Sequence, residues 1–159
     1  MVSELEKKKP RVSRDRDPGN IVSDLTPILN DTLHLFRSLT KEDYKVWHKA
    51  EDDPVTEVDI QLDRYLKHRL LEGWPSYGWL SEETLDDRRR LGKRRTWIVD
   101  PLDGTRQFVA GIPEYATSIA LEESGRIIAA AVLMLASGDC YTAARGSGAY
   151  LNGCRLQLR

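Results

Sequence analysis

The segment TWIVDPLDGTRQF, residues 96–108, runs from an apolar, strand-like stretch directly into a turn that contains two aspartates. Asp100 precedes Pro101, and a residue before proline is biased toward extended backbone geometry. We therefore expect Asp100 to end a strand and to point into the turn. Gly104 permits backbone conformations that are closed to other residues and lets a ligand approach the chain closely. The segment predicts a strand followed by a sharp acidic elbow.

The residue types of this elbow suit a site for a cation and an anion. Asp100 and Asp103 supply carboxylate oxygens, and hard oxygen ligands without histidine or cysteine favour Mg²⁺ over zinc. If TRQFVAG begins a helical turn, the amides of Gly104 and Thr105 can face a phosphate group. The alternative is an ordinary turn, because Asp-Pro and Asp-Gly are among the commonest turn dipeptides.

A second acidic pair, Glu82 and Glu83, follows the apolar stretch YGWL. If YGWL and WIV are neighbouring strands, carboxylates from both segments meet at one edge of a sheet. Such a cluster repels itself unless a cation binds there. The alternative is that Glu82 and Glu83 begin a solvated loop and pair with the arginines of residues 88–90.

Asp59 has two compatible interpretations. It follows Thr56 by three residues in the sequence TEVD, which resembles a capping box at the start of a helix. It can also accept a hydrogen bond from Thr105, which would leave that hydroxyl oriented toward an attacking water.

The chain is expected to form one α+β domain of residues 21–159 after a charged, disordered leader of residues 1–20. The pattern predicts a first helix with Thr26 as N-cap and Pro27 at its first position. A short strand in YKVWHK follows, and then a second helix that follows Thr56 and ends at Gly73. A basic loop, LDDRRRLGKRR, separates YGWL from TWIVD. Five short strands follow, divided by turn signals that include Ser124-Gly125 and Asn152-Gly153, so the helices should pack on a largely antiparallel sheet.

The charge balance limits the classes of partner. The chain has 24 Lys and Arg against 25 Asp and Glu, so no net charge favours a nucleic acid polymer or a membrane surface. No secretion signal or apolar stretch long enough to span a bilayer is present in the sequence, which predicts a cytoplasmic protein. Cys140 and Cys154 fit neither a metal-ligand spacing nor a disulfide framework and are interpreted as semi-buried thiols.

Four segments, DPVTEVD, GWLSEE, WIVDPLDGTRQF and GSGAYLNG, resemble the inositol monophosphatase-like, metal-dependent phosphomonoesterases in their order and spacing. Within that superfamily, KVWHKAEDDPVTEVD, LSEET and PLDGTRQF look closest to bacterial 3'(2'),5'-bisphosphate nucleotidases. The resemblance implies Mg²⁺-dependent hydrolysis of a small phosphorylated metabolite, adenosine 3',5'-bisphosphate to AMP, with inositol 1-phosphate as the alternative substrate. It implies in-line attack by a metal-activated water, with a second ion stabilising the leaving oxygen.

The resemblance also implies roles for individual residues. The ligands of the first metal would be Glu82, Asp100 and the backbone carbonyl of Leu102, and Asp100 and Asp103 would bind the second. The residues that orient the nucleophilic water would be Asp59, Thr105 and Glu82. The substrate phosphate would be bound by Asp103 and by the amides of Gly104 and Thr105. Lys49 lies near the position of a family lysine close to the metals.

Members of the family continue beyond the YLNG hairpin into a second α/β half, which carries a further metal-binding aspartate in a Trp-Asp motif. None of the four tryptophans here is followed by aspartate. Three interpretations therefore stay open: the N-terminal part of a phosphatase, a minimal phosphatase completed by a homodimer or a complementing C-terminal chain, and a non-enzymatic remnant that binds metal or a partner. The sheet face that would meet the missing half is expected to be an exposed apolar patch that invites aggregation or a partner.

Overall fold

The computed structural model describes residues 17–41, 43–50 and 53–157. Most of the predicted leader, residues 1–16, lies outside the described residues. The last part of that leader, residues 18–20, is helical, so the folded part of the chain begins a few residues earlier than Ile21.

The first helix, α1, spans Pro18–Leu39. It begins at this point because the side chain of Asp17 accepts a hydrogen bond from an amide of the first turn, at 2.9 Å. The prediction that Thr26 caps the helix and Pro27 begins it is wrong. Pro27 lies inside α1 on an exposed position, and the apolar face continues upstream to the buried Ile21.

A small antiparallel hairpin precedes the second helix. Its strands are β1, Val46–Ala50, and β2, Asp53–Thr56. The second helix, α2, spans Glu57–Gly73 and begins with a capping box, since Thr56 accepts from its first turn and the side chain of Asp59 accepts from the Thr56 amide. The predicted strand, N-cap and helix end are all confirmed here.

The remaining strands of the described chain form one seven-stranded sheet in sequential order, β3 to β9. A five-residue helix, α3, follows β4 and spans Thr105–Val109. The strands are β3 Gly78–Ser81, β4 Arg95–Asp103, β5 Ala116–Glu123, β6 Arg126–Met134, β7 Cys140–Ala144, β8 Gly148–Leu151 and β9 Cys154–Arg155. All neighbours are antiparallel except β3 and β4, which are parallel with Ser81 opposite Val99. The predicted α+β class and the pairing of YGWL with WIV are confirmed.

One face of this sheet forms the core. Helices α1 and α2 pack on it and cover Trp97, Ile119 and Leu133, which are at most 2% exposed. The opposite face carries Ile98, Val132 and Tyr141, which are half-exposed or exposed, as expected for an apolar face that the described helices leave uncovered. Among the described helices, none combines the length and apolar character needed to cross a membrane.

Candidate active site at the β4 elbow

Strand β4 does not end at Asp100, contrary to the expectation from the sequence. Asp100 pairs with Ser118 and Asp103 pairs with Ala116, so β4 contains one more residue than β5 between these two pairs. This β-bulge accommodates Pro101, which has no amide hydrogen to give to a regular ladder. The hydroxyl of Thr117 donates to the Pro101 carbonyl at 2.8 Å and fixes the bulge.

Gly104 forms the corner after the bulge. A side chain is disfavoured at this position for two reasons. Its φ is +86°, in the left-handed region that favours glycine. A Cβ atom at this position would lie 2.6 Å from the backbone oxygen of Glu114. The predicted helical turn begins at the next residue, where the Phe108 amide donates to the Gly104 carbonyl at 2.9 Å. The carbonyl of the corner residue therefore accepts a hydrogen bond from the short helix.

Thr105 and Asp59 are brought together by the packing of α2 beside the elbow. The Thr105 hydroxyl lies 2.8 Å from Oδ1 of Asp59 and 2.9 Å from the Leu102 carbonyl oxygen. The other carboxylate oxygen of Asp59 accepts from the amide and the hydroxyl of Thr56, at 2.8 and 2.5 Å. Asp59 is 1% exposed and has both of the roles considered for it, as helix cap and as partner of Thr105.

Glu82 and Asp100 lie at the same edge of the sheet, because β3 and β4 are parallel and Ser81 is opposite Val99. The Glu82 amide donates to the carbonyl of Val99 at 3.3 Å, directly before Asp100. Burial raises the pKa of Asp100 to about 7, and the charge of Glu82, a hydrogen bond to Glu82 and the charge of Asp103 act in the same direction. The acids thus form the repulsive cluster that the sequence predicted.

Glu83 and Lys49 form an ion pair at the border of this cluster. The Lys49 ammonium donates to Oε1 of Glu83 at 2.8 Å. Lys49 is therefore beside the acid that follows Glu82. The alternative in which both acids pair with residues 88–90 is wrong for Glu83.

Arg89 and Arg90 of the basic loop pair with acids of the same loop, whereas Arg94 and Arg95 pair with Glu123 of β5. Arg90 pairs with Asp86 at 2.9 Å, and Arg89 pairs with Asp87 at 3.2 Å. The loop contains a short 3-10 helix, Arg89–Gly92, rather than irregular structure alone.

A cavity of about 300 Å³ lies at the elbow. Most of the predicted site residues line it, together with four residues that the sequence interpretation did not include: Asp53, Pro54, Arg106 and Gln107. Arg106 and Gln107 could have been predicted to line the cavity, because they follow Thr105 in the sequence and lie in the first turn of α3.

Within the described parts of the chain, no group of three or more acidic, histidine or cysteine side chains is arranged to hold a metal ion. The first metal site that the resemblance implies would have two carboxylates, those of Glu82 and Asp100, with the Leu102 carbonyl as its third ligand.

Comparison with known proteins agrees with the family resemblance seen in the sequence. Residues 20–159 match the model of the inositol monophosphatase family. An inositol-1-monophosphatase of Rhizobium meliloti is 44% identical over 110 residues, which are 69% of this chain and 41% of that protein. A histidinol-phosphatase of Chlorobaculum parvum is 39% identical over 114 residues, 72% of this chain and 43% of that protein. The chain thus spans less than half of the length of these curated relatives.

Solved structures show the same fold. The extragenic suppressor protein suhB of Bartonella henselae superposes with a TM-score of 0.77 at 30% identity, covering 87% of this chain and 54% of that one. An IMPase/NADP phosphatase complexed with NADP and Ca²⁺ superposes with a TM-score of 0.83 at 25% identity, covering 91% and 55%. The fold, the elbow and these matches together show that the chain belongs to the inositol monophosphatase family.

Proposed function

We propose that the chain supplies the metal- and phosphate-binding edge of a Mg²⁺-dependent phosphomonoesterase. The observation that carries this proposal is the convergence of Glu82, Asp100 and Asp103 beside the Gly104–Thr105 corner. An acidic cluster and backbone amides at one cavity are the two elements that a phosphate ester and its counter-cations need.

The donor set fits a hard divalent cation. Glu82, Asp100 and the carbonyl of Leu102 would hold the first Mg²⁺, and Asp100 and Asp103 would contribute to the second. The raised pKa of Asp100 supports this assignment, because a cation in the cluster would stabilise the ionised carboxylate that its neighbours disfavour. When bound, the metal ions would activate a water and neutralise charge on the phosphate and the leaving oxygen.

The chain's own residues would orient the water and the ester. Asp59, held by Thr56, accepts from the Thr105 hydroxyl, and this leaves the Thr105 oxygen, which lines the cavity, to accept a hydrogen bond from a water. Asp103 and the amides of Gly104 and Thr105 are proposed to bind the phosphate, since these three residues line the cavity at the elbow. Lys49 acts in this proposal through Glu83 and is not assigned a direct role.

Two substrates are proposed, both small phosphorylated metabolites. Adenosine 3',5'-bisphosphate is supported by the resemblance of LSEET and PLDGTRQF to the bisphosphate nucleotidases. Inositol 1-phosphate is supported by the R. meliloti relative, which is named an inositol-1-monophosphatase. Both present a phosphate monoester to the same elbow, so the reaction class is common to them.

The uncovered sheet face suggests that the active enzyme contains more than this one chain. Ile98 and Ala120 of this face line a groove that also contains Glu82 and Asp100, so a covering element would lie next to the acids. A second copy or a complementing chain on this face is therefore proposed to complete the active enzyme.

The experiment is a measurement of phosphate release by the full chain from each substrate, with and without Mg²⁺. The proposal predicts Mg²⁺-dependent release that Asp103→Asn abolishes. Asp87→Asn changes an exposed acid of the basic loop and should leave the rate unchanged. Metal binding without release from either substrate would contradict catalysis by this chain alone or as a homodimer.

A further inference from the structure

Helix α2 carries a second buried acid, Asp63, one turn after Asp59. Asp63 is only 5% exposed, and both of its carboxylate oxygens are engaged. The hydroxyl of Ser81 donates to Oδ1 at 2.5 Å, and the hydroxyl of Thr84 donates to Oδ2 at 2.6 Å. One buried carboxylate therefore binds two hydroxyls, one at the end of β3 and one in the turn that follows it.

These two hydroxyls flank the acidic pair. Ser81 directly precedes Glu82, and Thr84 directly follows Glu83. The Ser81 oxygen also accepts from the Glu83 amide at 3.3 Å, so a chain of hydrogen bonds runs from the backbone of the pair to Asp63. Both ends of the turn that carries Glu82 are thus attached to one side chain of α2.

The spacing of Asp59 and Asp63 explains how one helix can hold both halves of the site. Residues four apart lie on the same face of a helix. Asp59 holds Thr105 at the elbow, and Asp63 holds the turn at the end of β3. Helix α2 therefore connects the segment that carries Asp100 and Asp103 to the segment that carries Glu82.

We propose that Asp63 is a positioning residue that fixes the turn of residues 81–84 and thereby sets the placement of Glu82 beside Asp100. The inference rests on the proposed function for its effect on metal binding. A carboxylate accepts from both hydroxyls, whereas an asparagine accepts through one oxygen only and places a donating amide group against the other hydroxyl, which would have to turn and accept instead. Partners that orient metal ligands typically contribute 10–100-fold to metal affinity.

The test compares Mn²⁺ affinity, measured by isothermal titration calorimetry, with thermal stability. Asp63→Asn should weaken Mn²⁺ binding by about tenfold or more at temperatures at which the variant is folded. Thr32→Ala is the control, because it removes a buried hydrogen bond from α1 to the Ile28 carbonyl at 2.7 Å. It should lower the melting temperature and leave Mn²⁺ affinity unchanged. A loss of stability in Asp63→Asn with unchanged affinity would overturn the inference.

A matched pair at Thr84 separates the hydrogen bond from the packing of the side chain. Thr84→Ser keeps the hydroxyl and should retain the Mn²⁺ affinity of the unaltered chain. Thr84→Val keeps the shape without the hydroxyl and should weaken binding several-fold. Equal affinities in the two variants would contradict a positioning role for the Asp63–Thr84 bond.

Amide hydrogen exchange makes the inference independent of metal binding. Asp63→Asn should speed exchange at the Glu83 amide relative to the unaltered chain, with exchange in α1 unchanged. If the unaltered chain binds no Mn²⁺, the proposed function fails, and the exchange result alone decides whether Asp63 fixes the turn. Unchanged exchange at Glu83 would overturn the inference even if Mn²⁺ binds.

Discussion

The Thr105 hydroxyl and the Asp59 carboxylate lie 2.8 Å apart although 46 residues separate them in the chain. The contact joins the first turn of α2 to the first residue of α3. It is partly buried, and its acceptor is already held by Thr56. The direction of the Thr105 hydroxyl is therefore set by the fold before any ligand binds.

Replacing Thr105 by valine tests this relationship. Valine keeps the branched shape and removes the hydroxyl, so the hydrogen bond to Asp59 is lost with little change in packing. If the hydroxyl orients the attacking water, phosphate release should fall by about 100-fold or more, while the free energy of unfolding changes by about 1 kcal/mol. Thr105→Ser should keep most of the activity. Equal activity of the valine and serine variants would remove Thr105 from the mechanism.

Replacing Gly104 by alanine tests the geometry of the elbow. The left-handed backbone costs an alanine about 1 kcal/mol, and its Cβ would in addition clash with the Glu114 carbonyl. We expect a total loss of about 2–4 kcal/mol in the free energy of unfolding, measured by urea denaturation. Gly111→Ala is the control, since Gly111 also has a positive φ of +72° but open space around a Cβ. Similar losses in both variants would show that the contact with Glu114 contributes nothing.

The raised pKa of Asp100 predicts a pH dependence of stability in the metal-free chain. The folded state holds this proton up to about pH 7, whereas an unfolded aspartate releases it near about pH 4. The contribution of Asp100 to stability is therefore fully present below about pH 4 and is lost as the pH rises through 7.

The variant Asp100→Asn has no such proton to lose. Above pH 7 it should be more stable than the unaltered chain by about 1 kcal/mol, a modest value because a half-exposed charge is screened. The measurement is a series of urea unfolding curves from pH 4 to pH 8 for both chains. A constant difference between them across this range would contradict the assigned cluster.

Local signals in the sequence predicted much of the fold. Asn152-Gly153 and Ser124-Gly125 were turn signals between strands, and both pairs have positive φ at each residue, as a tight hairpin turn requires. The prediction that acids after two apolar strands meet at one edge needed only the assumption that the strands are neighbours. The turns depend on residues that are adjacent in the chain, and the strands depend on short apolar segments that the sequence shows directly.

The predictions that were wrong and the residue that was missed depend on tertiary contacts. Pro27 resembled a helix start, but α1 already had a better start at Asp17 and gained buried contacts from the extra turns. The bulge after Asp100 depends on its pairing with β5, which no local pattern reveals. Asp63 was missed because its partners Ser81 and Thr84 lie 18 and 21 residues away.

The central claim is that Glu82 and Asp100 form a cation site at the edge of the sheet. Isothermal titration of the chain with Mg²⁺ tests it most directly, with Glu82→Gln and Asp100→Asn as site variants and Asp87→Asn as a control outside the cluster. The account predicts that the unaltered chain and Asp87→Asn bind Mg²⁺ equally and that both site variants lose at least about tenfold in affinity. Equal Mg²⁺ affinity in all four chains, or no binding by the unaltered chain, would contradict it.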